Sequence, residues 1–385
     1  MMKKCLWFLL PLVVLAAACY PESLPDYSRF NGTNVSVGTD NGLSDETSRM
    51  LILNQGIYPT NATIDLLDFN TNLSYSDLFT KANPRLPQNI GTGATEMAVV
   101  YGQLWVLLFT SNQVAIIDLP SFTLVEFIPL DFPRRMVVEG TFVYVTSYGV
   151  SSTDPANAVG KVYRINAATR KVEYIYVGSQ PEGMDVLGEK LYVADSGHLS
   201  WPHSKLVSVV NLKKFKTEST VELPLRHPNQ VIARGGRLWV NTFGDTDQNS
   251  VEFGGEPPLT VPHSLIRMGI NGSGRVIEGV HAEGMVLDHR TLYAYGNAAE
   301  LSGGTEWHLY KVDADGDEVI DIPFKGKDLD KVKNPSVINV NPVNGDIYLV
   351  NTDSTGQSEL FSFDKELNFK WSVPTGSNTT QVLFW

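Results

Sequence analysis

Apolar residues in this chain come in short blocks broken by Gly, Asn and Asp, and one kind of block keeps returning: an aromatic or branched residue flanked by Leu, Val or Ile. Seven copies centre on Ile52, Trp105, Tyr144, Tyr192, Trp239, Tyr293 and Tyr348. Around most copies the order is the same: a polar start, an apolar strand, a two-residue turn, then the aromatic strand. Pro181-Glu182-Gly183-Met184-Asp185-Val186-Leu187-Gly188-Glu189-Lys190-Leu191-Tyr192-Val193 and Thr95-Glu96-Met97-Ala98-Val99-Val100-Tyr101-Gly102-Gln103-Leu104-Trp105-Val106 show it side by side. Blocks this short bounded by turn residues read as strands. A repeat of roughly 40 to 50 residues built from several strands has the period of a propeller blade.

Four antiparallel strands per blade, A innermost to D outermost, place the aromatic repeat on strand B. The third copy displays all four, at residues 135–139, 143–147, 161–166 and 172–177. The first copy has no strand A, because Met50-Leu51-Ile52-Leu53 follows a polar stretch directly. At the other end, Thr379-Thr380-Gln381-Val382-Leu383-Phe384-Trp385 reads as a strand A with nothing after it. The two halves predict an all-β, seven-bladed β-propeller over 49–385, its ring closed by the C-terminal strand completing the first blade, which removes exposed sheet edges.

The meander sorts the loops onto two faces. Short turns such as Glu139-Gly140-Thr141 and Gly235-Gly236-Arg237 join A to B or C to D and have ordinary hairpin chemistry. The B to C inserts are long, at 149–160, 197–205, 244–264, 296–307 and 353–358. Long loops gathered on one face of a rigid scaffold make that face the functional one.

The first residues read as an export signal, with Lys3 and Lys4 before an apolar run that ends Leu15-Ala16-Ala17-Ala18-Cys19. The run is short for a bilayer span, and small residues before a cysteine fit a lipoprotein signal over 1–18 with Cys19 as the lipidated residue. Ala16 departs from the usual large apolar residue three before the cysteine. Residues 19–48, rich in Asn, Gly, Ser, Thr and Asp, are expected to form a flexible tether, with a short docked strand around Val35 to Val37 as the alternative. With Cys5 removed alongside the signal, no intramolecular disulfide is available, so burial must hold the fold. The formal charge of −12 becomes −14 when Lys3 and Lys4 leave. Such an acidic chain without a basic stripe is a poor partner for nucleic acid, and membrane contact is expected through the lipid only.

Candidate chemistry lies on the long-loop face. His198-Leu199-Ser200-Trp201-Pro202-His203 sets two imidazoles and an indole in one insert, suited to stacking on a bulky ligand more than to metal, since only Asp195 is near in sequence. The D to A connections bring one polar pair per blade to the channel mouth: Thr95-Glu96, Arg134-Arg135, Glu182-Gly183, Asn229-Gln230, Glu283-Gly284, Pro335-Ser336 and Thr379-Thr380. That mixture suits a ligand rich in amides and phosphate, with Arg134 or Arg135 for the anion. Asp313-Ala314-Asp315-Gly316-Asp317-Glu318 has a calcium-loop look, but its glycine comes early and it falls on a C to D hairpin. Gly91-Thr92-Gly93 lacks the third glycine and the helix of a dinucleotide site. No nucleophile elbow, paired-cysteine motif or zinc-protease helix is present, so no catalytic residues and no metal ligands are assigned.

The Pro-Glu-Gly start, the Val-x-Gly turn, Leu-Tyr-Val and the following Asp-Ser-Gly resemble the YVTN/YncE-like seven-bladed propellers over about 49–385. With the lipid signal, tether and closing strand, the chain is similar to the BtuG-type surface lipoproteins of gut bacteria, which bind vitamin B12. That resemblance implies capture of cobalamin or a related corrinoid and delivery to a TonB-dependent outer-membrane transporter like BtuB, from a lipid-anchored position on the cell surface. The reduction of the acidic cluster after Cys19 to Glu22 and Asp26 departs from that pattern. The implied contacts are Tyr148, Trp201, Phe243 and Trp307 for the apolar ring, Arg135, Glu182, Asn229 and Gln230 for the amides, and His203 or His198 toward the cobalt. Two other classes remain open: binding of haem, a siderophore, a glycan or a protein, and metal-dependent lyase or lactonase activity.

Overall fold

The computed structural model describes residues 27–38, 47–56, 60–86, 89–148, 159–197, 204–246, 259–269 and 272–385. Seven antiparallel sheets follow one another around a ring, and each is the predicted meander. In the third blade strands A to D are Pro133–Glu139, Phe142–Ser147, Lys161–Asn166 and Val172–Tyr176, within two residues of the expected bounds. Gly140, with φ of 57°, turns A into B there, a left-handed conformation that glycine adopts without strain.

Strand B is apolar on both faces because both faces are buried. Side chains alternate across a strand, so Leu104, Val106 and Leu108 pack against the first blade while Trp105 and Leu107 pack against the third. The same division runs round the ring, giving seven apolar layers, one between each pair of neighbouring blades. Trp105, Trp239 and Tyr348 are fully buried in these layers. The aromatic repeat is therefore inter-blade packing.

The ring closes as expected. The C-terminal strand Thr379–Phe384 pairs with Arg49–Asn54, setting Leu51 opposite Leu383 and Ile52 opposite Val382, and the Trp385 amide donates to the Arg49 carbonyl. Strands Thr63–Asp68 and Leu73–Tyr75 complete the first blade, and Thr33–Asn34 adds a fifth, outermost strand. That fifth strand corrects the tether expectation over 27–38. Tyr27, Phe30 and Val37 are buried, with Tyr27 and Phe30 in the layer shared by the first two blades. Their apolar side chains are the reason this polar-looking stretch docks. Residues 1–26, including Cys19 and the signal, and 39–46 lie outside the described residues.

The feature that shapes the channel is a register shift at the inner end of strand A. It occurs in six of the seven blades, for example between Pro181 and Met184 and between Pro228 and Val231, and is absent from the sixth. A β-bulge turns an extra residue out of the ladder, and here that residue belongs to the polar pair. Proline opens four of these strands, at Pro133, Pro181, Pro228 and Pro335, so each begins without a backbone donor. An acceptor on one blade then takes an amide of the next. Gln381 Oε1 accepts from Met97 at 2.6 Å, Glu96 Oε2 from Met136, and Gln230 Oε1 from Met285 at 3.1 Å.

Candidate binding site at the channel mouth

The long-loop face opens on a cavity of about 560 Å³ lined by Thr95, Arg134, Arg135, Ser336, Thr379 and Thr380, among others. A deeper cavity of about 330 Å³ shares Arg135, Ser336 and Thr380 with it and adds Glu96, Asn229, Gln230 and Glu283. Members of six of the seven polar pairs picked out by sequence thus meet across the inner cavity, all but Glu182-Gly183.

The two arginines have different occupations. Arg134 makes a forked ion pair with Glu182, Nε to Oε1 at 3.1 Å and Nη2 to Oε1 at 2.8 Å, and lies over the Tyr148 and Phe109 rings. Burial works against its charge, but Glu182 outweighs this and holds the guanidinium above its usual range. Glu182 is 1% exposed and also accepts from the Tyr148 hydroxyl, whose ionisation burial and Glu182 suppress. Glu182 is thus engaged within the protein as the buried counter-ion of Arg134. Arg135 lies 3.9 Å from Glu182 and donates from Nη1 to the Thr95 carbonyl at 3.4 Å. Its side chain keeps 29% exposure, so its charge faces the cavity.

Of the other expected contacts, Asn229 lines the inner cavity and its Oδ1 makes no hydrogen bond. Gln230 lines it too, with Oε1 engaged by Met285. Phe243 is half-buried at the end of a strand B, its amide donating to the His227 carbonyl. Trp307 begins strand C of the sixth blade, and its indole N–H donates to the Lys333 carbonyl at 2.8 Å. That contact sets it between the sixth and seventh blades, its ring 6.4 Å from that of Tyr295, which lines the inner cavity. His198, Trp201 and His203 lie outside the described residues. The acidic turn is committed elsewhere: Asp317 pairs with Arg267 and Arg275, and Asp315 with Arg290. Its carboxylates are answered by guanidiniums on the opposite face, which leaves calcium no donor set there.

Sequence reasoning missed two groups. Phe109 and Phe132 pack at 5.4 Å, and Phe109 meets Tyr148 edge-on at 5.6 Å, forming a half-buried aromatic patch beside Arg134. Each stands just outside a strand terminus on the long-loop face, the only signal that marked them. The second is a cluster of His263, Glu283 and Glu300, whose ligating atoms all lie within 4.8 Å of one another. Alongside Glu283, Glu96 is the other carboxyl lining the inner cavity. Burial lifts its carboxyl to about 7, against the pull of Arg135 and the Met136 amide.

No protein-family model and no curated protein matches the chain. Solved structures share its fold. A Bacteroides uniformis protein described as a candidate 6-phosphogluconolactonase is 10% identical, with a TM-score of 0.58 over 88% of this chain and 100% of that one. A Bacteroides fragilis protein of the same description is 13% identical, with a TM-score of 0.56 over 89% and 98%. AztD from Citrobacter koseri is 11% identical, with a TM-score of 0.51 over 87% and 96%. At such identities the likeness defines the class by its fold, a seven-bladed propeller.

Proposed function

We propose that this chain is a non-catalytic, surface-anchored binding propeller that takes a corrinoid at the channel mouth and passes it to a TonB-dependent outer-membrane transporter. One observation carries the reading. Thr95 Oγ1, Arg135 Nε and Asn229 Oδ1 are buried along the two joined cavities and make no hydrogen bond. Buried polar groups are generally paired, and a hydroxyl, a cation and an acceptor left unpaired along the same cavities suit a ligand that brings amides and phosphate. A corrin ring is too broad for the cavities. It would lie over the mouth against Phe109, Phe132 and Tyr148, with an amide arm or the phosphate reaching Arg135.

Equilibrium titration with cyanocobalamin tests this. Saturable binding is expected, weakened about ten-fold or more by Arg135→Ala, as for loss of a charge-assisted contact. Absence of binding at micromolar ligand would overturn the corrinoid assignment.

Glu96 favours a second reading, hydrolysis of a phosphorylated lactone, since a carboxyl near neutrality beside a guanidinium is the arrangement of a general base with an anion site. Turnover of 6-phosphogluconolactone that Glu96→Gln abolishes would move the protein into that class.

A further inference from the structure

The fifth and sixth blades each send a long insert to the loop face, and the two meet at His263 and Glu300. Glu300 opens a short 3-10 turn, Glu300–Ser302, in the sixth-blade insert. Its carboxylate accepts the His263 amide at 3.1 Å and faces His263 Nδ1 at 2.7 Å. Glu283, at the entry to strand A of the sixth blade, brings a second carboxylate and also lines the inner cavity.

We propose that His263, Glu283 and Glu300 form a binding site for one first-row divalent metal ion of the zinc or manganese kind, set between the fifth and sixth blades at the edge of the channel. This goes beyond the corrinoid reading and does not depend on it. Ligands at about 2.1 Å from one ion in a tetrahedral site stand about 3.4 Å apart. His263 Nδ1 and Glu300 Oε1 are 2.7 Å apart and all three donors lie within 4.8 Å of one another, so the widest pair needs to close by about 1.4 Å or less, within reach of side-chain rotation.

The donor set argues for such an ion. Two carboxylates at this distance repel each other, and one imidazole cannot neutralise both. A divalent ion balances them, and one nitrogen with two oxygens suits zinc or manganese better than calcium, which takes more oxygens. Glu283 is partly held, by the Asn297 amide at 3.1 Å, which orients the carboxylate while leaving its other oxygen available. His281, two residues before Glu283, lies within electrostatic reach of Glu300 and His263, and its Nδ1 is buried without a hydrogen bond. This blade is also the one whose strand A has no register shift, so Glu283 enters the cavity on a different course from its counterparts.

The full chain, untagged and stripped with EDTA, is titrated with Zn²⁺ and separately with Mn²⁺ by calorimetry. One ion per chain is expected for at least one of them. Glu283→Gln should weaken it about ten-fold or more, and His263→Ala likewise, with His289→Ala, on an exposed turn, unchanged. Circular dichroism checks that each variant is folded; if His263→Ala is not, Glu283→Gln decides. Absence of stoichiometric binding to either metal overturns the proposal, as does wild-type affinity in Glu283→Gln. Because the readout is metal alone, failure here leaves the cyanocobalamin result untouched, and the reverse holds.

Discussion

Asp195 shows how a repeat residue acquires a physical reason. It ends strand B of the fourth blade, fully buried, accepting from the Ser208 hydroxyl at 2.7 Å and the Gly178 amide at 3.0 Å. A Cβ on Gly178 would stand 2.3 Å from its carboxyl carbon, so glycine is required there. Asn54 and Gly376 repeat the relation in the first blade. Burial raises the Asp195 carboxyl to about 7, against both hydrogen bonds. The folded chain therefore keeps a proton that the unfolded chain loses near pH 4. This contribution is full below the unfolded value and is lost as pH rises through 7. Urea unfolding should show the chain weaker at pH 8 than at pH 5 by about 3 kcal/mol from this group alone, and Asp195→Asn should flatten that slope. Glu182→Ala should cost about 3 kcal/mol, because Arg134 is left buried without its partner. A loss below about 0.5 kcal/mol, the size of an ordinary surface substitution, would contradict the role given to Glu182.

At the scale of elements, the strands were legible because period-two alternation, turn glycines and aromatic blocks are local signals. The closing strand was legible for the same reason, as a half-copy with no partner in sequence. Deleting 379–385 removes Val382, Leu383 and Phe384 from the first blade and the Gln381 clamp on Met97, a loss of about 5 kcal/mol in apolar burial alone. Size-exclusion chromatography should then show association through the bared Arg49–Asn54 edge; a monomer that melts like the full chain would refute the closure. The site was less legible, since its relations cross blades. Arg134 and Glu182 pair over 48 positions, and His263 meets Glu300 over 37. The pairs at the mouth were named correctly as a ring, but composition could not tell which members bind to one another. Glu182 and Gln230 looked free for a ligand and are engaged within the protein, whereas Asn229 and Arg135 retain unmade bonds.

For the molecule as a whole, seven apolar layers carry the stability. The chain has two cysteines, both within its first 19 residues, so its melting temperature should be the same with and without reductant. A lowered temperature in dithiothreitol would expose a disulfide that contributes to the fold.

The packing of Tyr27 and Phe30 against the first two blades sets the length of a leash. With Cys19 as the anchored residue, eight peptide steps reach Tyr27, at most about 29 Å of extended chain. A tether running to residue 48 would let a lipid-anchored propeller roam; under the proposed anchoring at Cys19, this one would hold the rim of the first blade near the bilayer. The channel mouth would then pivot about that rim without travelling far from it, so a transporter receiving cargo would have to stand within one propeller's width of the anchor.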